Sequence, residues 1–248
     1  MINVAVCGAS GKMGQTVVNA VNNAEDMTLV AQIDIYNGQF VTIKDANDSV
    51  KIDVLIDFTQ PDSIYENALY CLNNDIKIVI GTTGLTDSQI NELQKLSEER
   101  KVSCIIAPNF STGAVLMMKF AQMASKYFEN AEIIELHHNQ KKDAPSGTAV
   151  KTALMMSEER ETFTEGNCVE KETIEGARGA NSYNNIHIHS VRMPGYMASQ
   201  EVLFGSNGQT LTIRHDSSSR ECYMPGVLLA VRYAVKNNRF IYGLEKIL

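Results

Sequence analysis

Short apolar segments that alternate with helical patterns constrain the fold of this chain more than any other feature of its sequence. Lys12 to about Val21 shows helical spacing, Pro61 opens a second predicted helix, and a third extends from Thr86 to Arg100. Continuous apolar strands that alternate with helices are typical of a parallel sheet covered on both faces. The predicted strands are residues 2–7, 28–33, 53–58, 77–80 and 102–106.

The pattern changes after Asn109. Residues 112–128 predict a Met-rich helix, because apolar residues recur there at helical spacing. The apolar residues are Val115, Met118, Phe120 and Met123. Flexible methionine side chains are common fillers of protein cores, so we expect the methionines among them to be buried.

The middle of the chain predicts a second sheet. A strand over 131–138 runs into a polar loop over 139–146, and Gly147 starts another helix. Residues 159–185 are polar and contain several glycines, which predicts a loop. Three strands that follow closely favour a mixed or mainly antiparallel sheet. They are residues 186–192, 197–204 and 209–215.

A last helix is predicted near 224–236, and it is expected to return to the first domain. Its apolar residues lie on one stripe. They are Val227, Leu228, Val231 and Val235. The run from Ser217 to Ser219 offers candidate N-cap residues for this helix.

Charge and cysteine content exclude several classes of protein. The formal net charge of -7 argues against a general nucleic-acid surface, and an anionic substrate must therefore meet a local cluster of cations. The five cysteines show no CxxC spacing, which favours reduced thiols in the cytosol over disulfides or a zinc site. No apolar run approaches the roughly 20 residues that cross a bilayer, and the first residues are expected to form a strand and not a signal peptide.

The first turn predicts a dinucleotide site. Gly8, Gly11 and Gly14 follow the first strand and open the first helix, although a GxGxxG motif would have another glycine at position 10. Glycines let the backbone approach a pyrophosphate, and the helix N-terminus supplies N–H donors. The alternative is a glycine-rich turn that binds no ligand.

Asp34 favours the dinucleotide interpretation, because it lies 20 residues past Gly14 at the end of the second strand. A carboxylate there accepts hydrogen bonds from ribose hydroxyls and repels a 2′-phosphate. The next residue is Ile35, and only Lys12 lies nearby in sequence to balance such a phosphate. We therefore expect NADH to bind at least as well as NADPH.

Small polar turns follow two later strands. They are Gly81-Thr82-Thr83-Gly84 and Ala107-Pro108-Asn109-Phe110. Ligands of open parallel sheets bind beyond the carboxyl ends of the strands, so these turns could line the nicotinamide half of a cofactor. Their alternative role is simple turn chemistry.

Residues 132–149 form a second candidate site. The strand delivers His137 and His138, which face opposite sides if the strand stays regular, and a loop with Lys141 and Lys142 follows. A helix N-terminus then begins at Gly147. This combination predicts an anion-binding site, whereas each feature alone would fit a structural histidine or a solvated loop.

Here the sequence resembles a known family. The stretch EIIELHHNQKKDAPSGTA is similar to the substrate signature of the 4-hydroxy-tetrahydrodipicolinate (dihydrodipicolinate) reductases, which reads ExHHxxKxDAPSGTA. Further segments agree in order along nearly the whole chain. They are the GASGKMG turn, IDFTQP at 56–61, IGTTG at 80–84, PNFSTG at 108–113 and SSR at 218–220.

The resemblance implies a cytoplasmic, usually homotetrameric enzyme of diaminopimelate and lysine biosynthesis. It would reduce a small cyclic dicarboxylate to tetrahydrodipicolinate with NADH or NADPH. The implied fold is α/β, with a Rossmann-like parallel sheet in residues 1–109 and 221–248. A second α+β domain on a mixed sheet, residues 110–220, would serve substrate binding and oligomerisation. Closure of one domain onto the other is expected.

The resemblance also implies residue roles. His137 would be the acid/base residue and Lys141 the proton donor, while His138 contacts the substrate and Gly147 and Thr148 bind a carboxylate. The implied cofactor contacts are Gly8, Ala9, Ser10, Gly11, Lys12, Met13, Asp34, Gly81, Thr82, Thr83, Ala107, Pro108, Asn109 and Phe110.

The chain departs from the family pattern in three places. The segment near 34–53 is short, and Ile35 replaces a residue that is often Arg, which agrees with the NADH expectation. In the stretch from Arg192 to Gln200, Ala198 and Gln200 stand where the family usually carries Gly and His.

Two other functions remain open from the sequence. His187 and His189 share a strand face and, joined by His137 and His138, could ligate zinc in a metal-dependent hydrolase. A non-catalytic NAD(H)-binding regulator would keep the glycines and Asp34 without needing the second site.

Overall fold

A computed structural model of the chain describes residues 1–164, 166 and 168–248. The chain divides into two compact units. Unit 1 comprises Met1–Thr112 and Arg220–Leu248, and unit 2 comprises Gly113–Ser219. The sequence predicted boundaries at 109/110 and 220/221, and the functions expected of the two domains stay predictions.

Unit 1 contains a six-stranded sheet in which every neighbouring pair is parallel, in the order β11-β5-β4-β3-β1-β2. The strands are β1 (Ile2–Cys7), β2 (Met27–Ile33), β3 (Val54–Asp57), β4 (Lys77–Ile80), β5 (Cys104–Ile106) and β11 (Phe240–Tyr242). The middle strands are almost entirely buried, as the continuous apolar segments predicted.

The helices of unit 1 are α1 (Lys12–Asn22), α2 (Ile43–Ser49), α3 (Pro61–Asn73), α4 (Asp87–Arg100) and α7 (Met224–Lys236). Pro61 occupies the first turn of α3, where a missing N–H costs nothing. Thr86 caps α4 in a reciprocal box with Gln89. The predicted strands and helices of this unit are confirmed, but α2 and β11 escaped prediction because each has very few buried residues.

The predicted cap of the last helix is wrong. Ser217 ends strand β10, and a 3₁₀ turn over Arg220–Tyr223 separates the serine run from α7. Tyr223 holds the N-cap position without a side-chain hydrogen bond. The helix itself packs against β3, β4 and α1 of unit 1, as expected.

Unit 2 contains a mixed sheet in the order β10-β9-β6-β8-β7. Its strands are β6 (Asn130–His137), β7 (Ala180–Asn181), β8 (His187–Arg192), β9 (Ala198–Ser206) and β10 (Gln209–Ser217). The β6–β8 pair is parallel and the other pairs are antiparallel. Helices α5 (Thr112–Ala124) and α6 (Gly147–Ser157) supply apolar residues to the core on this sheet.

Strand β6 has two different faces, because successive side chains point to opposite sides. Ala131, Ile133 and Glu135 are buried on the face that α5 and α6 cover, which we call the inner face. Glu132 and Ile134 lie half-buried on the opposite side, the outer face.

The predicted core role of the methionines in this helix is wrong for Met123. Val115 and Met118 are buried, but Met123 is exposed, as is Phe120, because α5 turns only one side toward the sheet. Within the predicted loop 159–185 the structure places β7 and a short 3₁₀ turn, while residues 165 and 167 lie outside the described residues. No helix in the described part of the chain combines the length and apolar character needed to span a bilayer.

Candidate active site

In the turn between β1 and α1, the backbone of Gly8 packs directly against the backbone of Phe58 and of Gly14. Gly8 has a φ of +79°, and a Cβ on it would lie 2.4 Å from the Phe58 carbonyl oxygen. A Cβ on Gly14 would lie 2.0 Å from the Gly8 carbonyl oxygen. Side chains are therefore excluded at both positions, which explains the glycines of the motif and leaves the turn surface to main-chain atoms.

The N-terminus of α1 fits an anionic group. Gly11 is its N-cap, and among the described residues no side chain caps this end. The first N–H groups of a helix lack intrahelical partners and carry the positive end of the helix dipole. A pyrophosphate supplies the acceptors that such a terminus needs.

Asp34 lies directly beside this turn, as its spacing from Gly14 predicted. Its carboxylate accepts hydrogen bonds from the backbone N–H of Ser10, at 3.0 Å, and of Tyr36, at 3.0 Å. Ile35 is exposed next to it. The structure thus joins the end of β2 to the glycine turn, which is the arrangement that a dinucleotide ribose requires.

The two later turns meet around Phe58. A Cβ on Gly81 would lie 2.2 Å from the Phe58 ring, so the ring packs directly on the backbone of that turn. The same ring lies 5.9 Å from the ring of Phe110, between centroids. The turns 81–84 and 107–110 are therefore brought together at the carboxyl edge of the parallel sheet.

Sequence reasoning missed Asp57, a fully buried carboxylate at the end of β3. Its Oδ1 accepts from the Thr59 N–H at 3.0 Å and from the Thr59 and Thr82 hydroxyls at 2.7 Å each, and its Oδ2 accepts from the Asn67 amide at 2.8 Å. Burial, and then the charge of Asp57, raises the pKa of the Cys7 thiol. Asp57 thus fixes Thr82 in one of the predicted cofactor turns. The signal was an acidic residue that ends an apolar strand.

The second candidate site begins at the end of β6. The Nδ1 atom of His137 lies 2.5 Å from Oε2 of Glu135, and the His137 side chain is 14% exposed. His138 follows the last residue of the strand and is exposed, and its Nδ1 accepts from the Gln140 N–H at 3.2 Å. The two rings therefore occupy different environments.

Glu135 is the first residue of the family signature, but the sequence analysis gave it no role. Its side chain is 0% exposed. Arg192 binds it in a bidentate manner, at 2.9 Å from Nη1 to Oε2 and 2.7 Å from Nη2 to Oε1. Burial alone would raise the pKa of Glu135, but hydrogen bonds from His137, Arg192 and Ser190 outweigh it and lower the pKa to about 2. A glutamate two residues before a histidine on one strand was the available signal.

The loop after β6 is tied to the same group. Lys141 contacts both carboxylate oxygens of Asp143, at 2.8 and 2.9 Å, and this hydrogen bond lowers the pKa of Asp143. Arg192 also donates to the Asp143 carbonyl oxygen at 2.7 Å. Lys141 of the loop and Arg192 at the end of β8 therefore both contact Asp143.

The N-terminus of α6 completes this group. Ser146 is its N-cap, accepts from the Ala149 N–H at 3.2 Å, and donates its own N–H to Oε1 of Glu135 at 3.2 Å. Gly147 is exposed, and a Cβ on it would meet no atom within 4 Å. Open space beside a helix N-terminus suits an incoming carboxylate.

The residues that depart from the family pattern border this group. Ala198 and Gln200 lie in β9, where they pair with His137 and Glu135 of β6. Gln200 is buried and donates to the Thr152 hydroxyl at 2.8 Å. Both departures from the family pattern, Ala198 and Gln200, therefore lie beside the candidate site.

The histidines of β8 are engaged elsewhere. His187 Nδ1 lies 2.7 Å from the Arg178 carbonyl oxygen, and His189 Nε2 lies 2.7 Å from a Glu132 carboxylate oxygen. Across residues 1–164, 166 and 168–248, no three or more His, Cys, Asp or Glu side chains form a group that could hold a metal ion.

A glycine turn beside a carboxylate on a parallel sheet, together with a loop that carries lysines on a mixed sheet, is typical of a nicotinamide-dependent oxidoreductase. The family model described as "Dihydrodipicolinate reductase, N-terminus" matches residues 2–110, and "Dihydrodipicolinate reductase, C-terminus" matches residues 113–248. The chain belongs to the dihydrodipicolinate reductase family.

Curated relatives and a solved structure agree over the full length. The chain is 48% identical over 269 residues to the 4-hydroxy-tetrahydrodipicolinate reductase of Gloeothece citriformis, covering 100% of this chain and 98% of that protein. It is 48% identical over 263 residues to that of Listeria monocytogenes serotype 4b, with 100% of both covered. The dipicolinate-bound dihydrodipicolinate reductase from Paenisporosarcina sp. TG-14 superposes with a TM-score of 0.94 at 46% identity, covering 100% of both chains.

A more distant structure shares the fold alone. GenD2 from gentamicin A biosynthesis, solved in complex with NAD, gives a TM-score of 0.59 at 12% identity, covering 86% of this chain and 72% of that chain. The predicted family, fold class and enzyme class are confirmed by these comparisons. They leave no support for a metal-dependent hydrolase or a non-catalytic regulator.

Proposed function

We propose that residues 137–148 bind the substrate of this enzyme and supply the proton of its reaction. Family membership establishes the reaction itself: the chain is an oxidoreductase with 4-hydroxy-tetrahydrodipicolinate reductase activity in lysine biosynthesis. The observation that carries the proposal is the group built on Glu135, which joins His137, Arg192 and the N-terminus of α6.

The substrate is a small cyclic dicarboxylate, and this group offers what two carboxylates need. Lys141 offers an ammonium group and His138 a ring N–H as hydrogen-bond donors. Gly147 and Thr148 are the first residues of α6, where the helix dipole favours an anion. The solved relative from Paenisporosarcina sp. TG-14 binds dipicolinate, a planar dicarboxylate. A local cationic site is also required because the chain as a whole carries a net charge of -7.

The nicotinamide cofactor supplies a hydride when it is bound. The protein then has to hold the dicarboxylate and deliver a proton to the electron-rich system that hydride addition leaves. His137 and Lys141 are the donors that the chain places in this loop, and general acid assistance is typically worth about 10²–10⁴ in rate. Because Lys141 is paired with Asp143, a substrate carboxylate has to compete with Asp143 for its ammonium group.

The cofactor site is proposed at residues 8–13, Asp34, 81–83 and 107–110, for NADH or NADPH. The carboxylate of Asp34 beside the glycine turn favours a ribose hydroxyl and repels a 2′-phosphate. We expect NADH to bind at least as tightly as NADPH in a fluorescence titration, and Asp34→Asn to narrow the difference. Tighter binding of NADPH to the unmodified chain would contradict this part of the proposal.

A cytoplasmic homotetramer is the proposed state of the enzyme. The five cysteines are free thiols in the described residues, which suits a reducing compartment. Sedimentation velocity of the purified chain tests the tetramer, and a monomer at micromolar concentration would contradict it.

The proposal is tested with His137→Ala and Lys141→Ala in a coupled assay, in which the upstream synthase makes the substrate and NADH oxidation is followed. Each change is expected to lower turnover by about 10²–10⁴, because a proton donor is lost. The affinity for NADH is expected to stay unchanged, which also reports correct folding of unit 1. Wild-type turnover in both variants would overturn the assignment.

A further inference from the structure

We propose that Glu135 is a positioning residue that fixes Nδ1 of His137 as a hydrogen-bond donor and leaves Nε2 to exchange a proton with the bound substrate. This inference rests on the proposed role of His137 as the acid/base residue. It concerns a residue that lies in the core of unit 2 and cannot itself reach solvent, since its side chain is 0% exposed.

The sheet register brings the three side chains together. In the parallel β6–β8 pair, His137 is directly opposite Arg192 and Glu135 is opposite Ser190. Residues 135 and 137 share the inner face of β6, because they are two positions apart. A regular pair of strands therefore suffices to place a carboxylate between an imidazole and a guanidinium.

The hydrogen bonds determine which atom donates. Oε2 of Glu135 faces His137 Nδ1 and Arg192 Nη1, and Oε1 accepts from Arg192 Nη2 and the Ser146 N–H. An ionised carboxylate is an acceptor only, so His137 Nδ1 must carry a hydrogen. The same hydrogen bonds hold the pKa of Glu135 at about 2, which keeps it ionised throughout the neutral range. Nε2 is then the ring nitrogen left for substrate.

Glu135 also connects His137 to the substrate anchor. Through the Ser146 N–H it holds the N-cap of α6, the helix whose first residues are Gly147 and Thr148. Arg192 extends the connection to the backbone of Asp143 in the loop of Lys141. One buried carboxylate thus sets the positions of the acid/base residue and of the helix that faces the substrate.

The test compares Glu135→Gln with Glu132→Gln, a matched change on the outer face of the same strand. Glu132 also contacts a histidine and an arginine, His189 and Arg178. We expect Glu135→Gln to lower kcat by about 10- to 100-fold, a part of what general acid catalysis supplies, with the KM for NADH unchanged. Glu132→Gln is expected to keep kcat within about two-fold.

A double-mutant cycle separates positioning from general stability. If Glu135 acts through His137, then Glu135→Gln is expected to cause no further loss of kcat in a His137→Gln background. An equal loss in both backgrounds would overturn the inference. If His137→Gln itself keeps wild-type turnover, the acid/base role of His137 on which this inference rests has failed, and not only the role of Glu135. If His137→Gln loses its turnover while Glu135→Gln stays fully active, the positioning role of Glu135 is refuted and the proposed role of His137 is not affected.

A spectroscopic measurement keeps the inference open to refutation even if Glu135→Gln does not fold. In the wild-type protein labelled with ¹⁵N-histidine, the His137 signal is assigned by its absence from His137→Gln. We expect the neutral ring to carry its hydrogen on Nδ1. A ring that carries its hydrogen on Nε2 would overturn the inference without any change at Glu135.

Discussion

Strand β6 carries a Glu–His–Arg cluster on each of its two faces. The inner cluster is Glu135, His137 and Arg192, and the outer cluster is Glu132, His189 and Arg178. In both, a carboxylate lies within hydrogen-bonding distance of an imidazole, at 2.5 Å in the inner cluster and 2.7 Å in the outer one, and an arginine binds the same carboxylate. The residue types are the same, so composition alone does not distinguish them.

The two clusters differ in burial and in what else they hold. Glu135 is 0% exposed, whereas the Glu132 side chain is 32% exposed. Arg192 gives both terminal nitrogens to Glu135 and also binds the Asp143 backbone, whereas Arg178 divides its contacts between Glu132 and Glu170. Only the inner cluster also binds the N-cap of α6. The comparison shows that only the inner cluster is attached to the loop of Lys141 and to a helix N-terminus, which favours it as the cluster that serves the proposed function.

The largest expected difference is in turnover after loss of the imidazole. His137→Gln is expected to lower kcat by about 10²–10⁴, because a general acid is removed. His189→Gln is expected to stay within about two-fold, since Glu132 keeps Arg178 as a partner. Steady-state kinetics of both variants at equal concentration decides. Similar losses in the two variants would erase the proposed distinction between the faces.

A smaller difference is expected in ligand affinity when each arginine is replaced by lysine, which keeps the positive charge but not the planar guanidinium group. Arg192→Lys cannot reproduce the paired hydrogen bonds to Glu135 and the contact with the Asp143 carbonyl, so the loop loses its tie. We expect the affinity for pyridine-2,6-dicarboxylate, measured by calorimetry, to fall about ten-fold. This loss corresponds to about the free energy of one charge-assisted hydrogen bond. Arg178→Lys should leave that affinity unchanged, and a matching loss there would count against the comparison.

The most specific expected effect concerns stability in acid. Glu135 has a pKa of about 2 in the folded protein against an ordinary value of 4.5, so its ionised form stabilises the fold fully above pH 4.5 and loses that contribution as the pH falls toward 2. Urea unfolding should show that the difference in unfolding free energy between wild type and Glu135→Gln is about 3 kcal/mol larger at pH 7 than in acid where Glu135 is protonated. This difference should begin to narrow below pH 4.5. A stability difference between wild type and Glu135→Gln that is independent of pH would show that it does not come from the charge of Glu135.

The same measurement on the outer cluster provides the control. Hydrogen bonds from Arg178 and His189 overcome burial and lower the pKa of Glu132, so the direction of the pH dependence is the same. Because Glu132 is partly exposed, solvent screens its interactions and the gap between wild type and Glu132→Gln should be smaller.

Local patterns predicted the main strands, the glycine turn and the loop with Lys141, because each is written in one continuous stretch of sequence. The meeting of Asp34 with the turn was also accessible, since strand ends of a parallel sheet share an edge. Arg192 was not, because it lies 57 residues from Glu135 and only the register of β6 with β8 brings them together. The exposed Met123 was wrongly predicted to be buried for a similar reason: helical spacing does not show which side of a helix meets the sheet.

Asp57 illustrates the same limit in unit 1. Its partners Asn67 and Thr82 come from a helix and from a turn after another strand, so no local motif contains the set. The strand sequence marks Asp57 only as an acidic residue after an apolar run. Its burial and its neutral donors emerge when three elements converge on one edge of the sheet.

The discontinuous path of unit 1 has a consequence for how the chain is made on the ribosome. Residues 113–219 emerge between the two parts of unit 1, and α7 and β11 come after them. Until β11 arrives, β5 is an unpaired edge of a parallel sheet, the kind of edge that recruits foreign strands. Unit 2 can therefore finish folding before residues 220–248 complete the sheet of unit 1, whose edge stays open to mispairing during that interval.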